Sequence, residues 1–240
     1  MRKIISLIRR AIDDYDMIKE GERIAVGVSG GKDSLTLLCS LKALSKYHPK
    51  RFDVIGLTLD GGFKGADYSG VLRMCKELSI EYIVKNTNIK EIVFDIRKET
   101  NPCSLCAKMR RGALNDFALE NGCKTIALGH HNDDALETFF LSLYYEGRLN
   151  CFTPVTYLDR KDVHLIRPMI YVPEKDIRSA AKRHDLPVVH NSCPANGYTQ
   201  RQYMKDMIRN LAYEHKGIKT RLFTAIQSGI KGWRPKDKDQ

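Results

Sequence analysis

Apolar residues along the chain follow two periods in turn, one typical of buried strands and one typical of helices. Continuous apolar runs predict strands at 23–29, 52–60, 81–86 and 124–130. Apolar residues three or four positions apart predict helices at 2–19, 70–78, 104–120 and 133–146, and another that ends at Ser45. Further along, the pattern predicts a short hairpin or final strand within 154–168, a helix from Pro173 to His184 and a basic helix over 198–213.

Strands that lack a polar face and alternate with helices are typical of a parallel sheet covered on both sides. We therefore predict an α/β fold with a parallel, Rossmann-like sheet and a small helical C-terminal extension. Ligands of such sheets bind beyond the carboxyl ends of the strands. Three polar loops leave predicted strands at that edge, at 29–34, 60–62 and 129–134. The sequence thus places a candidate site there.

A chain of 240 residues suits one such domain with a short appendage. We expect an N-terminal helix at 1–20, the main domain at 21–190, and a basic helical extension at 191–240 that carries Cys193. The basic N-terminus has helical apolar spacing and no cleavage site, and no apolar run approaches the roughly 20 residues that span a bilayer. We therefore expect a cytoplasmic protein with no membrane partner.

Charge is concentrated at the two ends of the chain. The formal net charge is +11, residues 201–240 hold ten Lys or Arg against four acids, and the first ten residues hold four basic residues and no acid. Clustered cations gain affinity for polyanions by releasing the counterions of phosphates. Charge therefore favours a nucleic-acid partner over a merely solvated surface.

The segment SGGKDS at 29–34 joins the first predicted strand to a helix. Its spacing fits neither the phosphate loop of NTPases nor the dinucleotide fingerprint. Successive amides beside Gly30 and Gly31 can still wrap an anion at a helix N-terminus, with the hydroxyls of Ser29 and Ser34 and the charge of Lys32. Asp33 is suited to cap the helix or to hold magnesium. A glycine turn with one capping residue accounts for only part of this set.

Seven cysteines in a chain without a secretory signal argue against a disulfide framework. Cys39, Cys75 and Cys123 lie among apolar residues and are expected to be ordinary buried thiols, while Cys151 is ambiguous. Three others lie in polar loops that contain proline: Cys103, Cys106 and Cys193. The Cys103–Cys106 pair is compatible with a redox pair, a zinc site or an iron–sulfur site.

The motifs together resemble a known family. SGGKDS resembles the PP-loop, which splits ATP between its α and β phosphates in the adenine nucleotide alpha hydrolase-like fold. With it occur NPCSLCAKMRRGAL at 101–114, LGHHNDDALETFFLSLYY at 128–145, IRPMIYVPEKDI at 166–177, and Cys193 before Arg201-Gln202. This series is similar to the tRNA 2-thiocytidine synthetase (TtcA) family over about residues 22–211.

The resemblance implies an ATP-dependent tRNA sulfurtransferase. By this resemblance, ATP would adenylate the C2 oxygen of cytidine 32 in the anticodon loop, and sulfur would then displace AMP. It also implies a 4Fe-4S cluster on Cys103, Cys106 and Cys193, whose open iron binds the sulfide; persulfide chemistry at the same cysteines stays open. Arg110 and Arg111 would balance the charge of the cluster or phosphate, or form a solvated face. The implied partners are tRNA and a sulfur donor such as a cysteine desulfurase, and a homodimer is allowed.

The resemblance also implies roles for single residues. Catalysis falls to Asp33, Asp133 and the three cysteines, with Asp33 as a Mg2+ ligand. The nucleotide is expected to contact Ser29, Gly30, Gly31, Lys32, Asp33, Ser34, Thr58, Asp60, Gly129 and His130. Asp133 or Asp134 is also expected to cap the helix that follows. Tyr198, Tyr203 or Trp233 would stack on an unpaired base, although core packing is the commoner fate of such residues.

Other functions remain open from sequence. A related PP-loop enzyme could thiolate another tRNA nucleotide or a small molecule. Lysidine-type ligation has no use for the three cysteines. A non-catalytic nucleotide-binding or metal-binding protein could keep the same fold, and only turnover distinguishes it.

Overall fold

A six-stranded sheet forms the centre of the part of the protein that the computed structural model describes, which is residues 1–63, 65–97, 102–189 and 200–235. The strands are β1 (Glu22–Gly27), β2 (Phe52–Asp60), β3 (Glu81–Asn86), β4 (Thr125–Ala127), β5 (Val155–Leu158) and β6 (Val163–Ile166). The helices are α1 (Arg2–Tyr15), α2 (Lys32–Ser45), α3 (Ser69–Glu77), α4 (Pro102–Glu120), α5 (Asn132–Glu146), α6 (Glu174–Arg183), α7 (Gln200–Glu214) and α8 (Ile218–Gly229).

The strand order is β3-β2-β1-β4-β6-β5, and every neighbouring pair is parallel except β5 with β6. β1 pairs with β2 on one side and β4 on the other, so the order reverses at β1. The predicted parallel sheet is therefore confirmed, and segment 154–168 adds an antiparallel hairpin at its edge. Reversal of strand order opens a crevice at the carboxyl edge, where ligands bind in such folds.

Helices cover both faces of the sheet, because successive residues of a buried strand point to opposite sides. Ile24 and Val26 of β1 join a large core with α1, α2, α5 and α6, which α7 and α8 extend. Ala25 joins a smaller core beneath α4 on the other face. The N-terminal helix and the C-terminal helices thus share one core with the main domain. The predicted boundary at residue 190 lies outside the described residues and stays a prediction.

Several element ends differ from those that the sequence predicts. α1 stops at Tyr15 because Asp16 adopts a left-handed conformation, φ 48°, that ends the helix. β1 and β4 are shorter than the apolar runs, since the chain leaves the ladder at Gly27 and Ala127 to form the polar loops of the site. A π-helical segment, Glu91–Ile96, precedes α4 and has no counterpart in the prediction.

The C-terminal region corrects one expectation outright. α8 was not predicted, and Trp233 behind it is fully buried rather than available to stack on a base. Its ring packs against Phe223 and Phe152, with centroids 5.5 and 6.2 Å away. Trp233 has polar neighbours in sequence, but burying its large aromatic surface against α8 is favourable enough to place the ring in the core. Across the described ranges, no helix combines the length and apolar character needed to cross a bilayer.

Candidate functional site

The 29–34 loop connects β1 to α2 and is closed by its two serines. Ser34 Oγ accepts from the Ser29 amide at 3.1 Å and lies 3.0 Å from the Gly31 carbonyl, to which it donates. The Gly31 amide donates to Ser29 Oγ at 3.3 Å. Gly30 has φ +80°, and a Cβ there would lie 2.7 Å from that of Val189. Only glycine therefore fits both the conformation and the space at this position.

The two charged residues of the loop contact each other and α6. Lys32 Nζ lies 3.0 Å from both carboxylate oxygens of Asp33 and 3.2 Å from Glu174 Oε1. Burial disfavours its charge, but the two carboxylates outweigh burial and raise the pKa of Lys32. Asp33 does not cap α2, whose N-cap is Gly31. Its carboxylate instead faces Lys32, with His131 Nε2 at 3.7 Å.

The loop after β4 packs directly against the start of α2. A Cβ on Gly129 would lie 3.1 Å from the Ser34 amide nitrogen, so glycine permits this close approach. His131 caps α5 in a reciprocal box: its amide donates to Asp134 Oδ2 at 2.9 Å, and its Nδ1 accepts from the Asp134 amide at 3.3 Å. Of the two aspartates expected to cap α5, Asp134 takes part.

The Asp133 carboxylate contacts α6 and α8. It accepts from the Glu174 amide at 2.7 Å and from Lys219 Nζ at 2.6 Å, so it caps α6 and binds α8. Burial alone would raise its pKa, but these two donors lower it. A direct role of Asp133 at the nucleotide therefore has no support in this geometry, and the residue joins three helices instead.

A cavity of about 470 Å³ opens between α4 and the carboxyl edge of the sheet. Its polar end includes Ser29, Asp33, Ser34, Gly129 and His130. Its floor is apolar and consists of Leu57, Leu59, Leu114, Leu128 and Leu165. Arg110, Arg111 and Asn115 line it from α4. An apolar slot that ends in an anion-binding loop has the chemistry expected for a nucleoside with phosphates.

Thr58 and Asp60 lie beside this cavity but do not line it. Thr58 is fully buried, and its hydroxyl donates to the Val28 carbonyl at 2.8 Å and lies 2.7 Å from the hydroxyl of Tyr82. Asp60 Oδ1 accepts from the Gly62 amide at 2.9 Å and closes a turn. Because side chains alternate along a strand, Leu57 and Leu59 face the cavity in their place.

Arg167 places a buried cation beside His130, near the cavity. The His130 ring packs on Phe152 at 4.9 Å, and the Arg167 guanidinium lies 5.0 Å from the centre of the same ring. Arg167 NH1 donates to the Thr153 carbonyl at 2.6 Å. Burial, reinforced by the charge of Arg167, lowers the pKa of His130 to about 4. Burial also lowers the pKa of Arg167 to about 10. His130 is thus neutral near pH 7.

Three buried polar atoms of the cavity wall lack a hydrogen bond among the residues described: Arg110 Nε, Asn115 Oδ1 and His130 Nδ1. Buried polar atoms are nearly always paired in folded proteins, by protein or by a bound molecule. Sequence reasoning missed Asn115, Arg167 and Glu174. The signal for Asn115 was its place one turn after Arg111 on the same helix.

Cys103 and Cys106 lie in the first turns of α4, at a spacing that puts both on one face of the helix. Cys103 is exposed and Cys106 half-buried, and neither forms a disulfide with another cysteine of the described ranges. Arg110 and Arg111 follow Cys106 by one turn and line the cavity. The third predicted ligand, Cys193, lies outside the described residues. Within the described ranges, no three His, Cys, Asp or Glu side chains group closely enough to hold a metal.

The other four cysteines are packing residues. Cys75, Cys123 and Cys151 are buried, which settles the ambiguous Cys151, and Cys39 is half-buried. Burial raises the pKa of the Cys39 and Cys75 thiols to about 11 and that of Cys151 to about 12. Thiols that stay protonated are poor nucleophiles and poor metal ligands.

Comparisons with known proteins agree with these motifs. A family model described as a PP-loop domain matches residues 2–215. The tRNA-cytidine(32) 2-sulfurtransferase of Geobacter metallireducens is 37% identical over 228 residues, which cover 94% of this chain and 89% of that protein. The protein of the same name from Pseudomonas entomophila is 36% identical over 229 residues, covering 95% and 84%.

A solved structure resembles the whole described fold. It is the U34-tRNA thiolase NcsA from Methanococcus maripaludis with its 4Fe-4S cluster, with a TM-score of 0.78 and 25% identity over 96% of this chain and 80% of that one. The 29–34 loop, the α4 cysteines and these matches agree, so the chain belongs to the PP-loop family, in the branch of the tRNA-cytidine(32) 2-sulfurtransferases.

Proposed function

We propose that this protein is an ATP-dependent tRNA sulfurtransferase that converts a cytidine, position 32 of the anticodon loop, to 2-thiocytidine. One observation carries the proposal: a single cavity joins the anion-binding 29–34 loop to α4, the helix that begins with Cys103 and Cys106. The named relatives act on cytidine 32 of tRNA, and the M. maripaludis thiolase contains a 4Fe-4S cluster.

ATP would occupy the cavity with its base on the leucine floor and its phosphates at the 29–34 loop. The C2 oxygen of cytidine attacks the α phosphorus, and pyrophosphate leaves. The C2 oxygen, which is a poor leaving group, is thereby converted into an adenylate, which is a good one. Free amides at the start of α2, together with Lys32, stabilise the charge that develops on the phosphates. Asp33 is the candidate ligand for Mg2+, which would neutralise phosphate charge.

Cys103 and Cys106 suit an iron–sulfur cluster, because an accessible pair of thiols one helical turn apart can bind two iron atoms of one cluster. Cys193 is the proposed third ligand. When bound, the cluster supplies an open iron position for the sulfur that replaces oxygen at C2. Arg110 and Arg111 follow the two cysteines along α4 and line the cavity, so they would offset the negative charge of thiolates and phosphates.

tRNA would bind through the basic surfaces at both ends of the chain. Of the three aromatic residues first considered for base stacking, Tyr203 on α7 is 60% exposed and keeps this role in the proposal. Tyr198 lies outside the described residues, and Trp233 is excluded by its burial. A cysteine desulfurase is the proposed sulfur source. A cytoplasmic location and a homodimer also belong to the proposal.

The test combines metal analysis with product analysis. Anaerobically purified protein should contain iron and acid-labile sulfide, and should release AMP and pyrophosphate when ATP, sulfide and tRNA are supplied. Transfer RNA from a deletion strain should lack 2-thiocytidine by nucleoside mass spectrometry, and the wild-type chain but not Cys103→Ser should restore it. Cys39→Ser is the matched control. A colourless protein that holds one zinc, together with unchanged 2-thiocytidine in the deletion strain, would refute the proposal.

A further inference from the structure

The carboxylate of Glu174 lies where three elements meet. Its Oε1 lies 3.2 Å from Lys32 Nζ of the 29–34 loop. Lys205 Nζ of α7 lies 2.9 Å from the same oxygen and 2.8 Å from Oε2. Arg178, one turn further along α6, contributes a third cation at 3.1 Å. The Glu174 side chain is only 11% exposed, whereas that of Arg178 is 67% exposed. Solvent therefore screens the ion pairs of Glu174 with the two lysines less than its ion pair with Arg178.

The backbone at Glu174 is held independently of its carboxylate. Pro173 precedes it with φ −67°, and the Glu174 amide donates to Asp133 Oδ2 at 2.7 Å. Asp133 is itself bound by Lys219 of α8 at 2.6 Å. Because α6 begins at a point fixed by α5 and α8, the carboxylate reaches Lys32 from a rigid base.

Charges around Glu174 keep it ionised. Burial would raise its pKa, but hydrogen bonds from Lys205 and Lys32 dominate and lower the pKa to about 2. Lys32 in turn faces two carboxylates, those of Asp33 and Glu174. An ammonium group has three donors. Both oxygens of Asp33 and Oε1 of Glu174 lie within 3.2 Å of this ammonium, so the two carboxylates together fix its position.

We propose that Glu174 is a positioning residue for Lys32 in ATP binding, and that Lys205 of α7 fixes the Glu174 carboxylate by contacting both of its oxygens, at 2.9 Å and 2.8 Å. The inference rests on the proposed function, since it takes the 29–34 loop as the ATP-binding element. A lysine side chain has many rotamers. If its ammonium group is already fixed in place, the side chain loses less conformational entropy when it binds a phosphate. The position of α7 thereby affects how tightly the loop binds ATP.

The direct test measures ATP affinity by calorimetry on the full chain. Glu174→Gln should weaken ATP binding about tenfold, because a neutral amide attracts neither lysine. Lys205→Met should weaken it about threefold, and the double variant should be no weaker than Glu174→Gln alone, since both changes act through one contact. Arg209→Met is the matched control on α7, because the arginine pairs with Asp206 instead, at 3.0 Å.

A charge swap separates positioning from mere packing of α6 on α7. Glu174→Lys with Lys205→Glu restores an ion pair between these helices, so thermal stability should return close to that of the wild type. It places a cation against Lys32, so ATP affinity should stay at least about tenfold weak. Recovery of ATP affinity together with stability would assign Glu174 a structural role and overturn the inference.

The outcomes also separate this inference from the proposed function. Wild-type protein that binds ATP, together with Glu174→Gln protein of equal affinity, overturns the inference alone. Wild-type protein that binds no ATP overturns both. If Glu174→Gln does not fold, Lys205→Met decides the matter, because the Lys205 side chain is 36% exposed and is replaced by a chain of similar length. An unchanged ATP affinity in Lys205→Met then counts against the inference.

Discussion

The amide of Val189 donates a hydrogen bond to the carbonyl of Gly30 at 2.9 Å, which ties the chain after α6 to the 29–34 loop. The Cβ of Val189 also occupies the space that a side chain at position 30 would need. Cys193, the third proposed ligand, follows Val189 by four positions in sequence.

Gly30→Ala should damage both stability and ATP binding. Alanine is strained at φ +80°, and its Cβ would meet that of Val189 at 2.7 Å. We expect a loss of about 2 kcal/mol in the free energy of unfolding and weaker ATP binding, measured by urea denaturation and calorimetry. Gly112→Ala in α4 is the control: a Cβ at this position would meet no atom within 4 Å, so the change should stabilise the protein.

His130 should make stability depend on pH in the acid range. Its pKa is lowered to about 4 in the folded protein, so between about pH 6.5 and 4 the unfolded chain binds the proton more readily. Stability is therefore full above that window and falls as pH decreases through it, by up to about 3 kcal/mol. Urea unfolding at several pH values should give a flatter profile for His130→Asn. The exposed His215→Gln should keep the wild-type slope, and a wild-type slope in His130→Asn would contradict this prediction.

The cysteines should separate into two classes. Cys103→Ser and Cys106→Ser should abolish cluster binding and 2-thiocytidine formation, with little change in melting temperature, because Cys103 is exposed and Cys106 only half-buried in the first turns of α4. Cys151→Ser should instead lower stability by about 1–3 kcal/mol, since it buries a hydroxyl where a thiol packs beneath α5. Iron content and thermal unfolding, measured on the same variants, check the prediction for the two α4 cysteines and the prediction for Cys151. Loss of iron in folded Cys151→Ser would contradict the division.

Trp233 should matter for folding rather than for RNA. Trp233→Ala leaves a large void beside Phe152 and Phe223 and should cost about 3–5 kcal/mol of stability. Trp233→Phe keeps most of the packing and should bind tRNA as the wild type does. Filter binding at matched salt measures the tRNA affinity of Trp233→Phe. Tyr203→Ala should bind tRNA more weakly, and Tyr213→Ala on the same helix is the control.

Periodicity in the sequence was sufficient for the strands and most helices. The runs at 52–60 and 81–86 match β2 and β3 residue for residue, because both are rich in the β-branched and aromatic residues that favour an extended chain. Residues 218–229 were harder to interpret. Their apolar positions become buried only when α8 docks beside α5 and α1, a contact distant in sequence.

The SGGKDS loop, the α4 cysteine pair and the family were determined by the sequence alone, because glycine conformations, thiol spacing and strand-to-helix order are local properties. The partners of each charged side chain were decided only by the tertiary structure. Asp133 turns to α6 and α8, and Glu174 joins Lys32 to Lys205, across 142 and 31 positions of sequence. Such ion pairs form where helix packing brings distant residues together, and no local pattern encodes that packing.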